Sequence, residues 1–233
     1  MTALTEAGAT VVEGFGDLPE AADRHDSRDS RPRIIIRLVI AKEWTSRPGR
    51  NRMEQAGDAA EKQMAFYLRR RYADDPDVRV CNDLRVERQG EFAQIDHLVL
   101  HKHGMIIIES KSVTGEVHIN QQLEFIRVSG GKRTGMPSPI QQAGRQGDLL
   151  RQLLIDHKDE LRRRQILGLV QGGFQYCPID VLVAISDQGI IKRPKKEIPE
   201  LHKADQIVDQ VEAIVDRHRR AAKLTTPDDG KWG

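Results

Sequence analysis

Residues Gln94-Ile95-Asp96-His97-Leu98-Val99-Leu100-His101-Lys102-His103-Gly104-Met105-Ile106-Ile107-Ile108-Glu109-Ser110-Lys111 decide how this chain folds. Val, Ile and Leu fill both ends of the stretch, and a short polar break from His101 to Gly104 divides it. That is the pattern of two β-strands folded back on each other, with Gly104 where a hairpin wants a permissive backbone. Side chains alternate along a strand, so Gln94, Asp96, Leu98 and Leu100 share one face of the first. Met105, Ile107, Glu109 and Lys111 share one face of the second, which sets Glu109 and Lys111 roughly 6.6 Å apart along the strand.

Register decides whether Asp96 joins them. Residues directly opposite in an antiparallel pair point the same way. A two-residue turn at Lys102-His103, or a four-residue turn over His101 to Gly104, sets Asp96 opposite Glu109. A two-residue turn at His103-Gly104 sets it opposite Lys111 instead. A three-residue turn would place Asp96 against Ser110 and scatter the cluster. Two carboxylates at 4 Å repel by about 4 kcal/mol at an effective dielectric of about 20, and either a raised pKa or a divalent cation relieves that. Oxygen donors of this kind, completed by water and substrate phosphate, are what Mg²⁺ accepts. The plainer reading is an Asp96–Lys111 ion pair on a solvated face with Glu109 exposed. Apolar residues on both faces of the strands argue instead for a covered sheet.

Asp96 followed by Glu109-Ser110-Lys111 resembles the D…ExK signature of the PD-(D/E)xK nuclease superfamily. The fuller run from Gln94 to Val117, with its glycine turn and the later Gly115, resembles the nuclease-related domain (NERD) family. The likeness extends from about Gly57 to the last helix. It implies an α/β fold with a restriction-endonuclease-like core, a central mixed β-sheet flanked by helices in αβββαβ order. It further implies that Asp96, Glu109, the Ser110 backbone carbonyl and Glu61 hold Mg²⁺ or Mn²⁺. Lys111 would then position or help deprotonate the attacking water, with Gln142 completing the catalytic set, and DNA (duplex or branched) would be cut in DNA processing or repair.

Outward from the hairpin, Ala60, Met64 and Leu68 recur at helical spacing within a first helix over about 53–72. Glu61 projects along that stripe, where a carboxylate needs a partner. The family pattern G-E-x-G-E stands here as Gly57-Asp58-Ala59-Ala60-Glu61: the last Glu is kept, the second Gly is Ala and the first Glu is Asp. Residues 77–86 read as the strand leading into the hairpin, and residues 116–117 and 123–128 as further strands. Ser138-Pro139 opens a long helix, Ser as the N-cap and Pro at the first position. Pro139-Ile140-Gln141-Gln142-Ala143 resembles the family's P-x-x-Q-A, which singles out Gln142, with Gln141 its neighbour. Residues 179–186 form a core strand, and Ile207, Val208, Val211, Ile214 and Val215 define a last amphipathic helix.

Candidates for the nucleic-acid contact are Gln94, beside Asp96, Arg145, one turn past Gln142, and the basic loop of Lys192, Arg193, Lys195 and Lys196, which suits salt-sensitive phosphate binding. Arg162-Arg163-Arg164 reads as a solvated helix end.

Composition bounds the rest. A net charge of +2 announces no polyanionic partner by itself. Two cysteines make neither a disulfide framework nor a four-cysteine zinc ribbon. His97 and His101 point away from the Asp96 face, which sets a zinc site with His103 aside. No phosphate-binding G-x-x-x-x-G-K-[ST] loop or G-x-S-x-G elbow is present. With no apolar run of membrane length and no leader pattern, the expectation is a cytoplasmic protein without membrane contact, its oligomeric state open, a homodimer included. Residues 1–52 read as a polar to basic extension, partly disordered and with a short apolar run at 34–40. Residues 53–222 read as the nuclease-related domain and 223–233 as a polar tail. The rival readings are a catalytically inactive nuclease-like domain that binds nucleic acid or a protein partner, at only 4% aromatic residues poor in stacking platforms, and a structural domain with an exposed ion pair.

Overall fold

The computed structural model describes residues 51–158, Leu161 and 173–225. The readings of residues 1–50, of Arg162-Arg163-Arg164 and of the tail past residue 225 lie outside the described residues.

Helix α1 (Arg52–Tyr72) starts at a capping box. The Glu54 N–H donates to Asn51 Oδ1 at 3.0 Å, and the Asn51 N–H donates to Glu54 Oε2 at 2.8 Å. The expected stripe is buried: Ala60, Met64, Leu68 and Tyr72 all face inward. Strands β1 (Val78–Arg88), β2 (Glu91–His101) and β3 (Gly104–Lys111) form an antiparallel meander. The small strands β4 (Glu116–Ile119), β5 (Phe125–Ser129) and β6 (Lys132–Met136) follow, then helix α2 (Pro139–Asp156). Ser138 caps α2, its hydroxyl accepting from the Gln141 N–H, with Pro139 at the first helical position. Strand β7 (Ile179–Ile185), short strands β8 (Ile190–Lys192) and β9 (Leu201–Lys203), and helix α3 (Ile207–Thr225) complete the described chain.

The central sheet has the order β1-β2-β3-β7-β9, antiparallel up to β3 and parallel from β3 through β7 to β9. It is the mixed sheet flanked by helices that the sequence implied. α1 and α3 pack on one face around Ile106, Ile108 and Val211. α2 packs on the other around Leu98, Met105 and Ile107. Both faces of β3 are therefore covered, and of its eight residues only Lys111 is not buried. A second sheet of order β6-β5-β4-β8 leans on a third apolar cluster with Phe125, Val117 and Ile185.

Three expectations are corrected. The segment after Ile190 is not wholly a loop, since Ile190–Lys192 pairs in parallel with β4. A three-residue strand with no period, paired to a partner far away in sequence, leaves no local trace. β6 was not anticipated either, because Lys132-Arg133-Thr134-Gly135 carries no apolar alternation. Gly104 is present for space rather than for backbone freedom. Its φ is not among the positive ones, but a Cβ there would meet the His218 ring nitrogen at 2.4 Å and the Pro178 carbonyl at 3.0 Å. Positive φ belongs instead to Gly115 (φ 94), where a Cβ would also lie 2.6 Å from the Val128 carbonyl.

Candidate functional site at a fork in the sheet

The hairpin closes through the two-residue turn Lys102-His103, and its ladder runs from His101↔Gly104 to His97↔Ile108. Extended by one position, that register sets Asp96 opposite Glu109. The ladder ends there. Below it β2 stays paired with β1, from Leu84↔Ile95 to Arg88↔Glu91, while β3 stays paired with β7 as far as Lys111↔Ile185. The sheet forks at the two carboxylates. The Ser110 N–H, which faces β2, donates to Asp96 Oδ2 at 2.8 Å instead of to a strand carbonyl. A residue's N–H and C=O leave a strand on the same side, so the Ser110 carbonyl also faces the fork.

Glu109 is 1% exposed and held at both oxygens. Lys111 Nζ donates to Oε1 at 2.5 Å, and Gln146 Nε2 donates to Oε2 at 3.0 Å. Lys111 Nζ also reaches Gln142 Oε1 at 3.2 Å. The cross-strand Asp96–Lys111 pair on a solvated face is therefore corrected: the lysine pairs along its own strand, and Glu109 is buried. Burial first, then the Glu109 and Glu61 carboxylates, push the Asp96 pKa well above the ordinary carboxylate range. The Ser110 N–H and Lys111 oppose that only in part.

Glu61, Gln94, Asp96, Glu109, Ser110, Lys111 and Gln142 all line one open cleft of about 680 Å³, together with Ser112, Thr114, Arg127 and Ser129. α1 delivers Glu61, the fork delivers the central residues, and α2 delivers Gln142. α2 packs against the sheet at Gly147, where an added Cβ would make ordinary contact with Ile179 and Ile107 at 3.4 and 3.5 Å. Gln94 spends its amide on Asp83, Nε2 donating to Oδ1 at 2.7 Å. Asp83 is buried at φ 51, a left-handed conformation that interrupts the β1–β2 ladder level with Asp96.

The structure does not bring the other basic candidates to this cleft. Arg145 is exposed on α2 and is not part of the lining. Lys192 lies 4.0 Å from Glu116, Arg193 donates to the Leu201 carbonyl, and Lys195 and Lys196 are exposed. Two residues of the site were missed. Gln146 lies four positions after Gln142, on the same helix face, and that spacing was a usable signal. Arg127 was not separable from an ordinary cation in an apolar strand.

His97 and His101 are engaged by other side chains away from the cleft. His97 is fully buried behind the site, its ring nitrogens 2.7 Å from Asn82 Oδ1 and 3.1 Å from Ser110 Oγ, and burial pulls its pKa down to about 3. His101 stacks on His218 at the far end of the hairpin.

The donor set consists of carboxylate and carbonyl oxygens, hard ligands of the kind Mg²⁺ and Mn²⁺ take. Among the described residues no three His, Cys, Asp or Glu side chains form a ready cage. An ion that retains water and substrate oxygens needs none. Burial and the neighbouring Glu109 and Glu61 carboxylates together disfavour charge on Asp96, and a bound cation would offset both, so these residues fit the group.

The model of the family described as nuclease-related domain matches residues 56–186, more than half of the chain. The chain belongs to the nuclease-related domain family. No curated protein and no solved structure matches it. The nuclease-related domain match takes in α1 from residue 56 onward, β1 to β7 and α2, hence every residue lining the cleft, and a nuclease-related function follows from it. β8, β9 and α3 lie past its end at residue 186, although the resemblance in the sequence was read as far as the last helix. No described helix is long and apolar enough to cross a membrane.

Proposed function

We propose that this protein hydrolyses phosphodiester bonds of DNA with Mg²⁺ or Mn²⁺. The observation that carries the reading is the convergence of Asp96, Glu109 and Lys111 at the fork, with Glu61 and Gln142 on the same cleft. Asp96, Glu109, Glu61 and the Ser110 carbonyl would hold the ion. Bound there, it supplies Lewis-acid polarisation of the phosphate and a water acidic enough to attack near neutral pH.

The remaining work belongs to the chain. Lys111 places an ammonium at the cleft wall, where it orients the attacking water and offsets negative charge growing on the phosphate oxygens. Gln142 and Glu109 hold that ammonium between them, which limits its rotamers before substrate arrives. Gln146 fixes the second Glu109 oxygen from the helix side. The buried His97 and the apolar strands around it keep water away from the back of the site.

The test is nicking of supercoiled plasmid with and without Mg²⁺. The wild type is expected to nick, and both Asp96→Asn and Lys111→Ala are expected to lose nicking while unfolding as cooperatively as the wild type. Metal-dependent nicking that persists in both variants would refute the assignment. Binding of DNA with no nicking by the wild type would establish the non-catalytic rival.

A further inference from the structure

The β5–β6 hairpin borders the cleft through β5, and its two faces differ. Along β5, Phe125, Arg127 and Ser129 point one way. Phe125 is sealed in the core beneath, while Arg127 and Ser129 line the cleft. The register pairs Phe125 with Met136, Arg127 with Thr134 and Ser129 with Lys132, and paired residues share a face. Lys132 and Thr134 therefore extend the face that bears Arg127, and both are exposed. Arg133, paired with Val128, points the other way, on the face that carries Glu116.

Among the described residues only two cations line the cleft, Lys111 and Arg127, and Lys111 is engaged by Glu109. Arg127 spends one donor on the Ser112 carbonyl at 2.8 Å, which anchors the guanidinium and leaves its other N–H groups to a ligand. We infer that Arg127, Thr134 and Lys132 form a track for the sugar–phosphate backbone of a nucleic-acid strand leaving the fork. The inference rests on the nuclease reading and gives that cleft its substrate-binding wall. The competing explanation is that basic residues on β6 merely guard an exposed sheet edge against pairing with other chains. A guard has no preferred face, whereas a track does.

The experiment compares Lys132→Ala with Arg133→Ala in an Asp96→Asn background, which holds DNA intact. Binding of a fluorescein-labelled oligonucleotide, single-stranded and duplex, is followed by anisotropy from low salt to high. Each cation set against a phosphate steepens the fall of log affinity with log salt by about 0.9 on duplex and about 0.7 on a single strand, so removing one weakens binding roughly eightfold or fivefold at about 0.1 M salt. Lys132→Ala and Arg127→Ala are expected to reduce both slope and affinity by those amounts, and Arg133→Ala to reduce neither. Equal losses at positions 132 and 133, or no loss at 132 and 127, overturn the track and leave the nuclease reading standing. Failure of the Asp96→Asn parent, and of wild type with Ca²⁺, to bind any of these DNAs sinks both.

Discussion

Asp96 carries the heaviest electrostatic load of any residue in the site, and its ionisation links chemistry to stability. Its folded pKa is raised, so between the ordinary value of 3.8 and the raised one the folded chain binds more protons than the unfolded chain. Stability contributed by this group therefore falls as pH climbs through that window. Without metal, Asp96→Asn is expected to melt above wild type at neutral pH, with the difference vanishing below about pH 4. If the site takes Mg²⁺ as proposed, the ion is expected to reverse the order by stabilising wild type and not the variant. Differential scanning fluorimetry across pH, with EDTA or Mg²⁺, checks both. A variant no more stable than wild type in EDTA would mean the aspartate is not under strain.

At the scale of elements, the hairpin β2–β3 has a working end and a supporting end. The supporting end is packed where Gly104 meets His218, whose ring is fixed between Asp180 and His101. Gly104→Ala would gain about 0.4–1 kcal/mol from a stiffer unfolded chain. It would lose about 1–3 kcal/mol by forcing apart a ring and a carbonyl that have no room to give. The loss wins. Urea unfolding should show a lower midpoint, while the cleavage rate of the folded fraction is unchanged, because the fork lies at the opposite end of the β2–β3 ladder. The working end was the most readable part of the sequence. Two apolar strands of matching length leave few turns to choose among, and any even register collects Asp96, Glu109 and Lys111. Glu61 was legible from the helical repeat together with the family pattern, and Gln142 from the resemblance of its run to P-x-x-Q-A. Arg127 was not singled out, since a cleft-facing arginine looks like a surface residue until the partner elements are placed, and Gln146 was passed over although its spacing from Gln142 was a signal. β6 and β8 were illegible for a related reason: both are three to five residues long and are defined by what they pair with.

For the molecule as a whole, histidines that folding keeps neutral contribute to acid stability. Burial lowers His101 to about 4 and His97 to about 3. Below the ordinary value of 6.5 the unfolded chain takes up protons that the folded chain refuses. Stability from these groups is thus intact above pH 6.5 and is lost as pH falls toward 4. Asp96 works in the opposite direction over part of this range, but it is one group against two. The urea midpoint is expected to drop steeply between about pH 6.5 and pH 4. A flat profile would mean that the two imidazoles are charged in the folded state.

At the fork, a carboxylate rather than a peptide carbonyl receives the Ser110 amide. A peptide rung would fix the width of the gap, whereas a side chain is a latch that can be lifted. Whatever draws the Asp96 oxygen away unfastens the two strand ends, so the aperture is set by its contents instead of by the scaffold.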